Sequence, residues 1–280
     1  MEQKISIIIK TFERPKSLKK LLLSIRNTGY SFPIIIVDDS KVDSGKEIKE
    51  LFPDLNIKYI PIAFDSGLSK GRNVLLSMLT TPYFLLCDDD FVLDKRSDVG
   101  KAFNCIVENN FDIVGGDFYN YVTVSNLKRL VKLIVSEPKK LKRYIFNQYE
   151  TSRYIGNFVI NADECKLLIS HKKPITSPHR CDIVNNFFIA NTESIRKIGG
   201  WDDELKLGEH EDFFLRAKQN GLNVAYLDGF GTGHFPIIKS NYKKFRFRAS
   251  QYKTIFAKKH NFKYYSEILV DNNVVLFEIK

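Results

Sequence analysis

Three consecutive carboxylates, Asp88, Asp89 and Asp90, follow directly on the apolar run from Tyr83 to Cys87. Adjacent unit charges repel by roughly 1 kcal/mol per pair at 4 Å even in bulk water, and by more where solvent is scarce. A fold that keeps three of them together needs something to offset that repulsion. A hard divalent cation does so, because Mg2+ or Mn2+ takes carboxylate oxygens and still leaves positions for phosphate oxygens. A solvated acidic turn is the other reading of this stretch taken alone.

The elements around the carboxylates favour a site. Residues 83–87 are too few for a helix and rich in aromatic and aliphatic side chains, so they read as a buried strand with the aspartates at its C-terminal end. Upstream, strand-like runs at 5–11, 33–40 and 56–62 alternate with helical patterns at 17–27, 45–52 and 68–79. Strict alternation of this kind predicts right-handed crossovers and a mostly parallel, doubly wound α/β sheet. In such sheets ligands bind beyond the carboxyl ends of the strands. Polar groups stand at each of those ends: Thr11 with Glu13 and Arg14, then Asp38 and Asp39, then Asp65, then Asp88 to Asp90.

The whole chain bounds the possibilities. Its 280 residues, 44% of them hydrophobic, suffice for a substantial core. No apolar run approaches the roughly 20 residues that cross a bilayer, and the N-terminus carries no cleavage-site pattern, so a cytoplasmic chain is expected. Cys87, Cys105, Cys165 and Cys181 form no CxxC pair and read as isolated thiols, neither a zinc site nor a disulfide framework. The net charge of +10 suits a polyanionic partner without choosing among nucleic acid, membrane surface and acidic glycan. Residues 1–117 read as a nucleotide-binding α/β half, 118–180 as a basic, tyrosine-rich insertion or lid, 181–238 as the acceptor and catalytic half of the same domain, and 239–280 as a basic aromatic C-terminal segment.

With these features in place the chain resembles the nucleotide-sugar-dependent glycosyltransferases of the GT-A fold. It looks like the inverting family 2, and its second half is similar to the β-1,4-N-acetylgalactosaminyltransferase group that includes ganglioside synthases. The stretches that carry the resemblance are "FDSGLSKGRN", "CDDDF", "VNNFFIANTESIRKIGGWDDEL" and "GEHEDFFLRA", over roughly residues 5–91 and 181–234. It implies a UDP-sugar donor, an N-acetylhexosamine or galactose as the transferred sugar, a glycan or lipid-linked acceptor, and a Mn2+ or Mg2+ cofactor. Asp88 and Asp90 match the metal-holding positions of the family's DxD motif, with Asp89 toward the ribose, and His234 matches a late histidine that completes the metal site. Thr11, Glu13, Arg14, Asp38, Asp39, Asp65, Arg72 and Asn73 match nucleotide contacts. Asp212 matches the acceptor-activating base, and Glu211 orients substrate or loop beside it. Trp201 falls where relatives place an acceptor or sugar platform, and Asp202 and Asp203 support that loop or touch the donor sugar.

Each assignment has a plainer counterpart. Asp38 or Asp39 could cap the following turn, Glu211 and Asp212 could complement a helix dipole, and Trp201 could be core. The chain also departs from the ganglioside-synthase-like pattern, in which a membrane anchor is present and the base is often glutamate. Residues 241–265 interleave Lys and Arg with Tyr and Phe, which suits an anionic inner-leaflet surface, a single-stranded nucleic acid, or a helix packed back on the core. The expected function is metal-dependent, inverting sugar transfer in surface-glycan synthesis, with no nucleic acid as partner. The alternatives are a GT-A-like nucleotidyl or phosphosugar transferase and a non-catalytic nucleic-acid-binding module.

Overall fold

The computed structural model describes residues 1–124, 127–171, 176–236, 245, 248–268 and 274–278. The first part follows the expected alternation. Strand β1 (Ile5–Thr11) leads to helix α1 (Pro15–Thr28), β2 (Ile34–Asp38) to α2 (Gly45–Leu51), β3 (Ile57–Pro61) to α3 (Leu68–Met78), and then come β4 (Tyr83–Asp88) and a short β5 (Phe91–Val92). Pro15 opens α1 at a position whose N–H has no intrahelical partner, and Gly29 closes it in the left-handed conformation. Strands β1 and β2 are buried along their whole length, as expected of parallel strands covered on both faces.

After α4 (Val99–Glu108), β6 (Ile113–Tyr121) runs outward to a pair of helices, α5 (Leu127–Ser136) and α6 (Pro138–Ile145), and β7 (Tyr149–Ser152) returns along it. Next come β8 (Gly156–Asn161), β9 (Lys166–His171), β10 (His179–Cys181), β11 (Phe188–Asn191), α7 (Thr192–Lys197), α8 (Glu209–Gln219) and β12 (Val224–His234). The chain closes with α9 (Ala249–Lys259), β13 (Tyr264–Ile268) and β14 (Val274–Glu278). The main sheet has the order β10-β12-β6-β11-β4-β1-β2-β3. Strands β3, β2, β1 and β4 are mutually parallel, and β11 is antiparallel to both β4 and β6. Aliphatic and aromatic side chains fill the space on both faces of this sheet.

The segments read as an insertion and a tail are joined. Strand β9 pairs in parallel with β13, so a second sheet, β14-β13-β9-β8, links residues 156–171 to the C-terminal strands. Helix α9 buries Tyr252, Phe256 and Ala257 in the core that also holds Phe213 and Phe214 of α8. Of the three readings of residues 241–265, the described part bears out the helix packed on the core; residues 241–244 and 246–247 lie outside the described residues. Cys87, Cys105 and Cys181 are free and buried, and Cys165 is free and partly exposed. Among the described residues no helix is long and apolar enough to cross a membrane.

Candidate active site

A cavity of about 510 Å3 opens beyond the C-terminal ends of β1 and β4. Register brings its first wall together. Asp88 lies beside Lys10 of β1 in the β1–β4 pairing, and the end of β12 pairs with β5, His234 opposite Phe91. His234 Nε2 thereby stands 3.6 Å from Asp90 Oδ2. Arg14, Asp88, Asp90 and His234 all line the cavity.

The repulsion among the three aspartates is offset from within the chain. Arg14 forms ion pairs with both Asp89 and Asp90, at 2.7 Å to the latter. Arg72, fully buried, donates to Asp88 Oδ1 at 2.9 Å and to Glu209 Oε1 at 2.6 Å. The cation inferred from charge repulsion alone is therefore not required by it; two guanidinium groups do that part. Burial raises the pKa of Asp90, but Arg14 and His234 outweigh it and hold the group below its usual range. At Asp89 burial prevails over Arg14 and raises the pKa. Asp89 is fully buried and accepts from Thr11 Oγ1 at 2.7 Å, so it fixes the first loop under the cavity and does not face a ribose.

The second wall is the start of α8 with part of the small sheet. Glu209, His210 and Glu211 line the cavity together with Tyr154 and Glu267. Burial, reinforced by Glu209 and Glu267 against Lys253, pushes Glu211 up to about 7. Tyr265 donates to Glu267 at 2.6 Å and lies 3.4 Å from Glu211 Oε1. His210 Nε2 lies 2.8 Å from the Val184 carbonyl oxygen, so that nitrogen donates and Nδ1 is left to accept. Burial, with Arg72 nearby, lowers its pKa to about 4.

Asp212 is not in the cavity. It is fully buried, accepts from Arg216 Nε at 2.7 Å, and contacts His260 Nε2 at 2.8 Å and Lys259 at 3.8 Å. Successive residues of a helix are about 100° apart, so Glu211 and Asp212 cannot share a face. The structure turns Glu211, and not Asp212, toward the cavity. The signal in the sequence was Arg216, one turn on at the spacing of a helical ion pair.

Other expected contacts divide between a smaller pocket and the supports of α8. Asp39 and Asp65 line a pocket of about 60 Å3 that shares Lys10, Arg14, Leu68 and Leu207 with the large cavity. Asp39 pairs with Lys10 and accepts from Gly67 N–H, while Asp65 is held by both terminal nitrogens of Arg248 at 3.0 and 2.7 Å. Gly67 has φ +100°, and a Cβ there would come within 2.7 Å of the Lys206 side chain. Asp38 caps its own turn by accepting from Ser40 N–H at 2.8 Å and bonds Tyr59, and Glu13 accepts from Lys41 N–H at 2.8 Å. Both tie loops together and neither borders the cavity.

Asn73 donates to the Trp201 carbonyl oxygen at 2.6 Å and accepts from its N–H at 2.8 Å, and it also donates to Asp203. Trp201 is buried and stacks on Phe213 at 4.7 Å, so it is core beneath α8 and not an exposed platform. Asp202 pairs with Lys259, and Asp203 with Lys70 at 3.0 Å. Asn73, Trp201, Asp202 and Asp203 thus position the start of α8. Lys10, Glu209, His210, Tyr154 and Glu267 are site residues that the sequence reading missed. Lys10 left a local signal, a single charge inside the run Ile5 to Thr11, and Glu209 and His210 fall within the stretch "GEHEDFFLRA".

The donor set at Asp90 and His234 fits a divalent ion shared with a substrate. His234 Nδ1 lies 2.6 Å from Asn120 Oδ1 and donates to it, which fixes the ring with Nε2 on the side of Asp90. A histidine fixed through its other nitrogen in this way is the usual arrangement for metal binding. No group of three or more acidic, His or Cys side chains suited to a metal occurs among the described residues. An ion here would take its remaining ligands from phosphate oxygens and water.

Comparison with known proteins agrees with this architecture. The sequence model described as "Glycosyl transferase family 2" matches residues 6–169. Beta-1,4 N-acetylgalactosaminyltransferase 2 of Mus musculus is 28% identical over 211 residues, 75% of this chain and 35% of that protein. The chain spans about a third of the length of that relative and of Beta-1,4 N-acetylgalactosaminyltransferase 1 from the same organism. Processive diacylglycerol beta-glycosyltransferase of Mycoplasma genitalium is 25% identical over 264 residues, 81% of this chain and 76% of the relative. Among solved structures, S. aureus TarS superposes with a TM-score of 0.60 at 16% identity, over 91% of this chain and 39% of that one. S. aureus TarS 1-349 in complex with UDP does so at 0.55 and 17% identity, over 90% and 65%. The likeness establishes the GT-A fold, and the curated relatives bear out the resemblance to the β-1,4-N-acetylgalactosaminyltransferase group.

Proposed function

Since the chain belongs to glycosyl transferase family 2, we propose that it transfers a sugar from a UDP-sugar to a hydroxyl of a glycan or lipid-linked acceptor by a single displacement with inversion. The observation that carries this is the cavity itself. It places Arg14, Asp88, Asp90 and His234 on one wall and Glu211 on the other, beyond the strand ends. The relatives' names support the reaction class, and the neighbour's UDP complex supports the nucleotide. An N-acetylhexosamine or galactose is the first choice of donor sugar.

In this mechanism the diphosphate sits against Arg14 and the Asp90–His234 pair, and the acceptor enters beside Glu211. Glu211 takes the hydroxyl proton as the acceptor oxygen attacks the anomeric carbon; the bond from that carbon to the diphosphate oxygen breaks, and UDP departs with the electron pair. Mn2+ or Mg2+, bound through Asp90 and His234, would neutralise the growing charge on the leaving diphosphate. A base matched to neutral pH is the most effective, and Glu211, raised to about 7, meets that condition.

The test is a panel of UDP-sugars and acceptors with UDP release as readout. Release of diphosphate in place of UDP would assign nucleotidyl transfer, and nucleic-acid binding without turnover would assign the non-catalytic reading. Glu211 acts only when ionised, so kcat/KM is expected to rise with pH to a plateau above about 7. His210 also reaches the cavity with Nδ1 free to accept. Were it the base, its lowered pKa of about 4 would leave the profile flat through the neutral range.

A further inference from the structure

The helices α5 and α6, between β6 and β7, expose apolar side chains on an unusual scale. Leu127 and Val135 are each 74% exposed, and Val131, Ile134, Ile145 and Phe146 are exposed with them. Leu133 is the buried residue of α5, and α6 buries none. The same twenty residues, 127–146, carry seven Lys or Arg against a single acid, Glu137. A short amphipathic pair with apolar side chains flanked by cations has the composition of an interfacial element on an anionic bilayer.

We propose that α5 and α6 dock this protein on an anionic phospholipid surface. Charge decides the occupant. A second copy of the chain would bring the same positive face and be repelled, whereas an anionic leaflet attracts each cation and accepts the apolar side chains among its acyl chains. A soluble polyanion would use the cations but leave Leu127, Val135 and Ile145 in water. The docking element is continuous with the cavity wall. Arg143 donates to the Asn120 carbonyl oxygen at 3.0 Å, Asn120 holds His234, and Thr123 bonds the carbonyl oxygen of Pro236, which lines the cavity. These helices are other than residues 241–265, the stretch whose composition suggests membrane contact.

The test is co-sedimentation of the whole protein with vesicles of phosphatidylcholine alone or mixed with phosphatidylglycerol, which needs no sugar transfer. Binding to the mixed vesicles is expected, weakened by salt and nearly absent on phosphatidylcholine. The variants Val135→Ser with Ile145→Ser, and Lys139→Glu with Lys142→Glu, should each reduce it by roughly tenfold or more, with circular dichroism unchanged. No pelleting with the mixed vesicles would overturn the proposal. So would pelleting that neither pair reduces, or retention on a soluble polyanion that the charge pair abolishes while the serine pair leaves vesicle binding intact.

Discussion

The Glu211→Gln enzyme is expected to turn over about 100- to 10,000-fold more slowly than wild type, the range over which a positioned general base contributes, with UDP affinity retained. Glutamine keeps the size and can still accept a hydrogen bond, but it cannot take a proton. The prediction is pointed because the neighbouring acid, Asp212, is engaged elsewhere. Its carboxylate is held by Arg216, His260 and Lys259 on the far face of α8. Burial would raise its pKa, but His260 and Arg216 outweigh that and lower it. Asp212→Asn should therefore appear as a lower denaturation midpoint, with turnover per folded molecule little changed. Steady-state kinetics of both variants, beside urea denaturation, separates the roles. If Asp212→Asn abolished turnover in fully folded protein while Glu211→Gln did not, the assignment of the base would be reversed.

Arg72→Met is expected to lower the stability of the fold by about 3–5 kcal/mol, the usual consequence of removing one partner from a buried ion pair. Arg72 joins Asp88 at the end of β4 to Glu209 at the start of α8, elements distant in sequence that form opposite walls of the cavity. Burial already raises the pKa of Glu209 against the pull of Arg72. Without the guanidinium that carboxylate would be buried and uncompensated. Lysine should recover only part of the loss, because a single ammonium lacks the fork that reaches two acceptors. Urea unfolding of wild type, Arg72→Met and Arg72→Lys measures this, and a loss under about 1 kcal/mol in the Met variant would contradict the bridging role.

The parts of the fold legible in the sequence are those whose signals are local. β1 to β4 alternate with helices bounded by Pro and Gly, so the doubly wound half and the polar strand ends could be placed directly. Asp88, Asp90 and His234 meet at the cavity because they stand at strand ends that the sheet brings side by side. The small sheet was illegible because β9 finds its partner β13 about a hundred residues further on, with nothing local to announce the pairing. Glu267 reaches the cavity from β13, and Tyr154, between β7 and β8, packs against His171 of β9, so both were invisible for the same reason. Glu211 and Asp212 are adjacent in a helix and so face apart, and the sequence alone does not say which of them turns toward the cavity. Arg14 stands at a strand end in the sequence as well, but its pairing with Asp89 and Asp90, and that of Arg72 with Asp88, show only in the fold.

The most direct test of the central claim, that this cavity holds a nucleotide diphosphate for sugar transfer, is calorimetric titration of UDP into wild type and Asp90→Asn, with and without Mn2+. UDP binding is expected to depend on the metal and to weaken by roughly tenfold or more in Asp90→Asn. Failure of UDP to bind with Mn2+ present, or binding that the substitution leaves unchanged, would contradict it.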